Sequence, residues 1–242
     1  MNENLNIKEV SAASSKQINE SPIAGRIKLT PKPASQMNGV VPGPSTCFLA
    51  DSLIAMADGT FKKIQYVEAG DYVIGAFGEH NIILAKEPTV LGDRPMYKIN
   101  NEHDTSCDHP HVSFDKKFYA PDVAAMNSGW GISYEVTLAD GKKESWVKVG
   151  LKKDRLLPLT TGIFLQTLTG AKKVTSLESY NLPPETKLYH FAVGGSHTYI
   201  VNGYAVVGWG REDDFDYDTW TPTGINLTID DYRVKSVELI RD

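Results

Sequence analysis

The stretch "STCFLADSLIAMADGTFKKIQYVEAGDYVIGAF", Ser45 to Phe77, follows a Pro- and Ser-rich arm and sets Cys47 at the seam between that arm and a run of short apolar segments. The chain has only two cysteines, Cys47 and Cys107. A thiol at such a boundary has two readings. It is a small buried hydrophobe, or it stands where it can attack the peptide bond just before it, Thr46–Cys47.

Beyond Cys47 the sequence reads as all-β. Short runs rich in Val, Ile, Leu and Tyr recur: "YVIGAF", "NIILA", "SYEVTL", "RLLPL", "IFLQTL", "KVTSLE", "HTYIV" and "YAVVGW". Turn pairs separate them, at Asp58-Gly59, Gly70-Asp71, Gly92-Asp93, Asp140-Gly141, Gly194-Gly195 and Asn202-Gly203. Many short strands at close spacing argue for a compact β fold over βαβ units. Helical periodicity is scarce, and "PDVAAMNS" has room for a turn or two. A faint internal echo relates Ile64–Ile74 to Val147–Leu157, each with apolar residues at matching offsets around an Asp, Asp71 and Asp154. It suggests two related halves.

Three pieces follow. Residues 1–46 form an extended Pro/Ser-rich arm; "PKPASQMNGVVPGPST" holds four prolines and no helical or strand period. Such composition cannot offset its own ordering entropy, so the arm is a flexible tail or a clamp held by a protein partner. Residues 47–210 form the β body. Residues 211–242 form an acidic C-terminal extension, in which "NLTIDDYRVKSVELI" alternates well enough for one or two strands. Its acidic cluster lacks the regular spacing of calcium ligands, and Asn226-Leu227-Thr228 matches a glycosylation sequon that has meaning only after secretion.

Bulk properties narrow the function. With 41% hydrophobic residues and a net charge of −5 there is no basic stripe, so nucleic acid is not an expected partner. No apolar stretch approaches bilayer-spanning length, so no membrane role is expected. Met1–Gln17 lacks the charged and apolar regions of a secretory signal, which points to the cytoplasm or a virion. Two cysteines are too few for a disulfide scaffold.

Three separated blocks carry the chemistry. The first is Cys47, Phe48, Leu49, Ala50, Asp51 and Ser52, followed by Ala57–Thr60 and Gly70-Asp71. The second is Ser106, Cys107, Asp108, His109 and Pro110. The third is Leu188-Tyr189, Val193, His197, Tyr199 and Asn202-Gly203. In this order they resemble the Hint domains, the Hedgehog and intein self-processing family, over Cys47–Trp209. The resemblance implies a flat β fold of two pseudo-symmetric halves with both chain ends near one active site, and no cofactor. Cys47 would attack the Thr46 carbonyl, His109 would protonate the departing amine, and Ser106 would orient the scissile amide or the imidazole. Asp108, Cys107, His190 and His197 are supporting candidates.

Where inteins end in His-Asn, this chain has Val207-Gly208 and runs on. The resemblance therefore implies at most an acyl shift and cleavage at Thr46–Cys47, without splicing. Two rival expectations stand beside it. The first is a silent structural module of a larger assembly such as a phage virion or tail. The second is a zinc module built from His103, Cys107, His109 and His111. Cys107 could also pair with Cys47 as a reversible redox lock.

Overall fold

The computed structural model describes residues 47–128, 132–138, 143–147, 155–210, 215–222 and 234–241. The arm 1–46, Asp140-Gly141, Asp154 of the internal echo, residues 211–214 and the sequon at Asn226 lie outside them. The described chain is almost entirely β, as the sequence predicts; its one α-helix is the short Val123–Ser128.

At its centre is the hairpin Thr198–Val201 and Tyr204–Val207, turned by Asn202 and Gly203 at φ 48° and 85°. Both turn residues are left-handed, the geometry an Asn-Gly pair adopts most readily. Asn202 also fastens the turn to a neighbour: it accepts the Leu53 N–H on Oδ1 and donates its own N–H to the Leu53 carbonyl, each at 2.8 Å. The hairpin reads as a continuous apolar run because both its faces are buried. Tyr199, Val201 and Val206 pack with Phe48, Ile54, Ile83 and Phe191. Ile200, Ala205 and Val207 pack with Val112, Phe118 and Leu156 on the other side.

A second sheet fixes where the chain enters and leaves. Strand Lys187–Val193 pairs along one edge with His80–Val90, with a register shift between Ala192 and Val193. Along its other edge lie, one after the other, the entry strand Phe48–Leu49 and the exit residue Trp209. Phe48 is registered on Tyr189 and Leu49 on Leu188. Trp209 donates to the Phe191 carbonyl at 2.9 Å and accepts from Val193 N–H at 2.7 Å. Start and end of the body thus share one edge. A third sheet, Leu177–Tyr180, Met96–Ile99 and His103–Ser106, carries Ser106 at its last position.

Two expectations change in detail. "KVTSLE" is not one strand: Gly170–Lys173 ends before it and Leu177–Tyr180 begins within it. Val174, between them, is buried and bonded in both directions to the 162–163 segment. The chain after residue 210 also rejoins the body, for Phe215 and Tyr217 pack against Phe118. Strand Val234–Arg241 pairs with Ile132–Leu138.

A buried polar knot ties the two hairpins. Asn81 donates from Nδ2 to Ser196 Oγ and to the Thr198 carbonyl, both at 2.8 Å, and accepts Ser196 N–H on Oδ1 at 3.2 Å. Ser196 Oγ and Thr198 Oγ1 both donate to Glu79 Oε1. Asn81→Ala would strand buried donors and acceptors and is expected to lower unfolding stability by about 2–3 kcal/mol. Urea unfolding of the two proteins measures it, and a loss under about 0.5 kcal/mol would show the knot to be dispensable.

Candidate active site

Cys47 and Ser106 face each other through two backbone-anchored bonds. Cys47 N–H, the nitrogen of the Thr46–Cys47 peptide, donates to Ser106 Oγ at 2.9 Å. Ser106 N–H donates back to the Cys47 carbonyl at 3.1 Å. A tight turn follows Ser106, closed by His109 N–H to the Ser106 carbonyl at 3.2 Å. That turn brings the His109 ring onto Phe48, the residue after the thiol, with ring centroids 4.2 Å apart. His190, from strand Lys187–Val193, meets His109 edge-on at 5.3 Å and Trp209 at 5.6 Å. Cys47, Ser106, His109 and His190 are all at 0% exposure.

The structure therefore brings together Cys47, Ser106, His109 and His190, drawn from three sequence-distant places. Of the two partners expected for the Ser106 hydroxyl, the amide and the imidazole, it is the Cys47 amide N–H from which it accepts. Thr46 lies outside the described residues.

The remaining candidates look elsewhere. Asp108 turns its buried carboxylate to Arg94, whose Nη1 lies 3.4 Å from each oxygen. Arg94 also donates to the carbonyls of Leu91 and Val90, so the pair ties the Ser106–His109 turn to the 90–94 loop. Burial, with the neighbouring Asp108 carboxylate second, pushes the Cys107 thiol up to about 12. It stays protonated at neutral pH and is a poor nucleophile. Both thiols are free. His197 sits at φ 58° in the turn before the central hairpin, with Nδ1 against the Val193 carbonyl. It packs so closely on Gly210 that a β-carbon there would come within 1.9 Å of the ring. His197 is thus fixed in the turn by the Val193 carbonyl and by Gly210.

The zinc expectation rested on His103, Cys107, His109 and His111. Among the described residues no three His, Cys, Asp or Glu side chains gather as a metal site. His103 and His111 instead point Nε2 at Nε2, 3.0 Å apart, and His111 Nδ1 lies 3.0 Å from the His109 carbonyl. Ring nitrogens used in this way are unavailable as joint ligands.

Tyr199 is a residue the sequence reading left to the core. Its hydroxyl lies 3.5 Å from His190 Nδ1. Burial first, and the adjacent Cys47 sulfur second, hold its phenol well above the ordinary range. A neutral phenol thus lies beside His190 and feels the Cys47 sulfur. The only sequence signal was its place in the His-x-Tyr pattern.

Gly208 is the residue that the sequence resemblance sets against the terminal Asn of inteins. A β-carbon there would lie 2.9 Å from the Phe191 carbonyl oxygen, 2.7 Å from Val193 Cγ2 and 3.3 Å from Tyr199 Cε1. Backbone cannot move aside as a flexible side chain would, so no side chain fits without a shift of the sheet.

No protein-family profile matches the chain, and no curated protein matches it. Among solved structures it is similar to a bacterial intein-like domain from Clostridium thermocellum, at 21% identity over 68% of this chain and 100% of that one, TM-score 0.47. It is also similar to the gp41-1 intein, at 14% identity over 68% and 100%, TM-score 0.44. A DnaB intein from Synechocystis sp. aligns at 13% identity over 68% and 99%, TM-score 0.39. These likenesses concern the fold; the chemistry follows from the chain's own residues.

The two buried histidines set an acid limit on stability. Burial lowers His111 from 6.5 to about 4, against hydrogen bonds at the His109 and Tyr119 backbone that raise it. Burial, then His111, holds His103 well below its ordinary value. The unfolded chain protonates these rings near 6.5 and the folded chain does not, so their contribution is complete above that pH and lost as pH falls toward about 4. The folding equilibrium is expected to weaken roughly tenfold per pH unit for each such ring within the window. Urea midpoints between pH 7 and pH 5 should fall accordingly; a flat profile would mean that the rings are not held neutral.

Proposed function

We propose that the chain is a Hint-type self-processing domain that shifts the acyl group of Thr46 from nitrogen to the sulfur of Cys47 and releases the arm to an outside nucleophile, without splicing. The observation that carries this reading is the paired bonding of Cys47 with Ser106. It holds the scissile N–H in one orientation beside a buried imidazole.

The chemistry balances within the site. The Cys47 sulfur forms a C–S bond to the Thr46 carbonyl carbon, and the C–N bond between Thr46 and Cys47 breaks. The thiol proton finishes on the Cys47 amine, delivered through an imidazole. His109 is the donor, since its ring packs on Phe48, the residue that follows Cys47. Tyr199 and His190 form the route by which the thiol gives up its proton. A thioester is uphill of a relaxed amide, so the shift needs the amide held out of its best hydrogen-bonding company. Ser106, accepting from the N–H with a hydroxyl in place of a carbonyl, supports that. An added thiol then exchanges onto the Thr46 carbonyl and regenerates Cys47 sulfhydryl.

A second reading has its own support. Complete burial of Cys47 and His109 excludes bulk water from the thioester. It fits a silent module of an assembly, with residues 1–46 held by a protein partner, as in a phage virion. Intact-mass measurement of the purified chain with and without dithiothreitol separates the two. Self-processing yields a fragment beginning at Cys47, enhanced by thiol and absent in Cys47→Ala. A single unchanged mass in every condition would overturn self-processing in favour of the silent module.

Loss of splicing is a separate matter. Gly208→Asn restores the amide side chain yet places its β-carbon on the Phe191 carbonyl. It is expected to yield no ligated product and to lower the thermal midpoint, by an overpacking penalty of about 1–3 kcal/mol. A variant as stable as the parent would show that the sheet has room there.

A further inference from the structure

We propose that His103 and His111 act as a clasp that positions His109, a role that rests on His109 being the proton donor to the departing amine. The clasp closes the base of the turn that carries Ser106 and His109. His103 begins the strand that ends in Ser106, and His111 begins the strand that leaves the turn. Their Nε2 atoms meet at 3.0 Å across the gap.

Proton bookkeeping fixes each ring. The His109 carbonyl can only accept, so His111 donates to it from Nδ1. A neutral His111 then has a lone pair at Nε2, and His103 must donate to it from its own Nε2. This leaves His103 Nδ1 unprotonated. That atom is buried and has no hydrogen-bond partner among the described residues. Burying such an acceptor is unfavourable, and two apolar residues would avoid the loss. The pair supplies something apolar residues cannot: a donor for the His109 carbonyl. The next residue is Pro110, which has no N–H to offer within the turn.

The rings are braced from outside. His103 stacks on Tyr204 at 4.7 Å and 19°. Tyr204 in turn donates its hydroxyl to Glu102 at 2.5 Å and accepts from Asn100 Nδ2 at 3.0 Å. On the far side, Pro110 accepts from Val207 N–H at 3.1 Å. With both ends of the turn held, the His109 ring is kept against Phe48, the residue after the thiol. The rings of His103 and His111 bond to each other and to the His109 carbonyl, so they are positioning residues.

The test uses the full chain. In isotope-labelled protein carrying Cys47→Ala, imidazole NMR near neutral pH should show His111 as the Nδ1–H tautomer and His103 as the Nε2–H tautomer. His103→Phe or His111→Phe should then move the His109 ring resonances, whereas the exposed change Tyr66→Ser should not. In chains that keep Cys47, either Phe variant should slow thiol-induced cleavage roughly ten- to hundredfold. The double variant should be no slower than the slower single one, because the two rings act as a unit. The core change Ile200→Val should leave the rate within about twofold. His111→Gln, which retains a donor for the carbonyl, should recover part of the rate, and it replaces His111→Phe should that variant fail to fold. Reversed tautomers, unmoved His109 resonances or fully additive rate losses would overturn the clasp. If the parent chain does not cleave at all, the self-processing reading fails, and the tautomers and His109 resonances alone judge the clasp.

Discussion

The reciprocal bonds between Cys47 and Ser106 are the constraint on which the rest of the site depends. An N–H at 2.9 Å and a carbonyl at 3.1 Å leave the Cys47 backbone no freedom to rotate. The sulfur is thereby fixed relative to the peptide bond it would attack. Everything packed around the pair serves to hold two segments 59 residues apart in this register. Phe48 pairs with Tyr189 on one side and lies under His109 on the other. Burial removes competing water, which strengthens both bonds and makes their loss more damaging.

The same packing shows how a splicing-type fold can lack a splicing end. Trp209 still returns to the edge of strand Lys187–Val193 beside the entry strand, so both ends of the body meet near His190. At Gly208 the backbone has come too close to Phe191 and Val193 for any side chain. The geometry that closes the sheet there is incompatible with an asparagine waiting to cyclise. On the proposed reading, this arrangement serves the first step and not the second.

Buried histidines dominate the interior around the turn, and they divide by what they touch. His109 and His190 lie beside the thiol end of the site. His103 and His111 lie behind it and bond to each other. His197 packs into a loop with Gly210. Near neutral pH, burial holds the His103 and His111 rings uncharged, so each of these two acts through one donor and one acceptor and not through charge. Arg94 and Asp108 supply an ionic contact to the turn.

Much of this was legible in the linear order of residues. Short apolar runs separated by Gly- and Asn-containing turns gave the all-β class, because hairpin geometry is set within a few residues. Asn202-Gly203 is the clearest case. The block order gave Cys47, Ser106 and His109 as partners. Other features depended on contacts between distant segments. His103, Cys107, His109 and His111 look like ligands when written in a row, but their alternation across a tight turn sends His109 toward Phe48 and His111 toward His103. Tyr199 looks like plain core until the strand beside it brings His190 within 3.5 Å. Gly208 looks like a mere departure from a motif until the Phe191 carbonyl is found where its β-carbon would be. Local propensity and pattern are short-range properties of the chain. Which buried polar groups face each other is fixed only when the sheets close, since it follows from register and packing between residues that the sequence holds far apart.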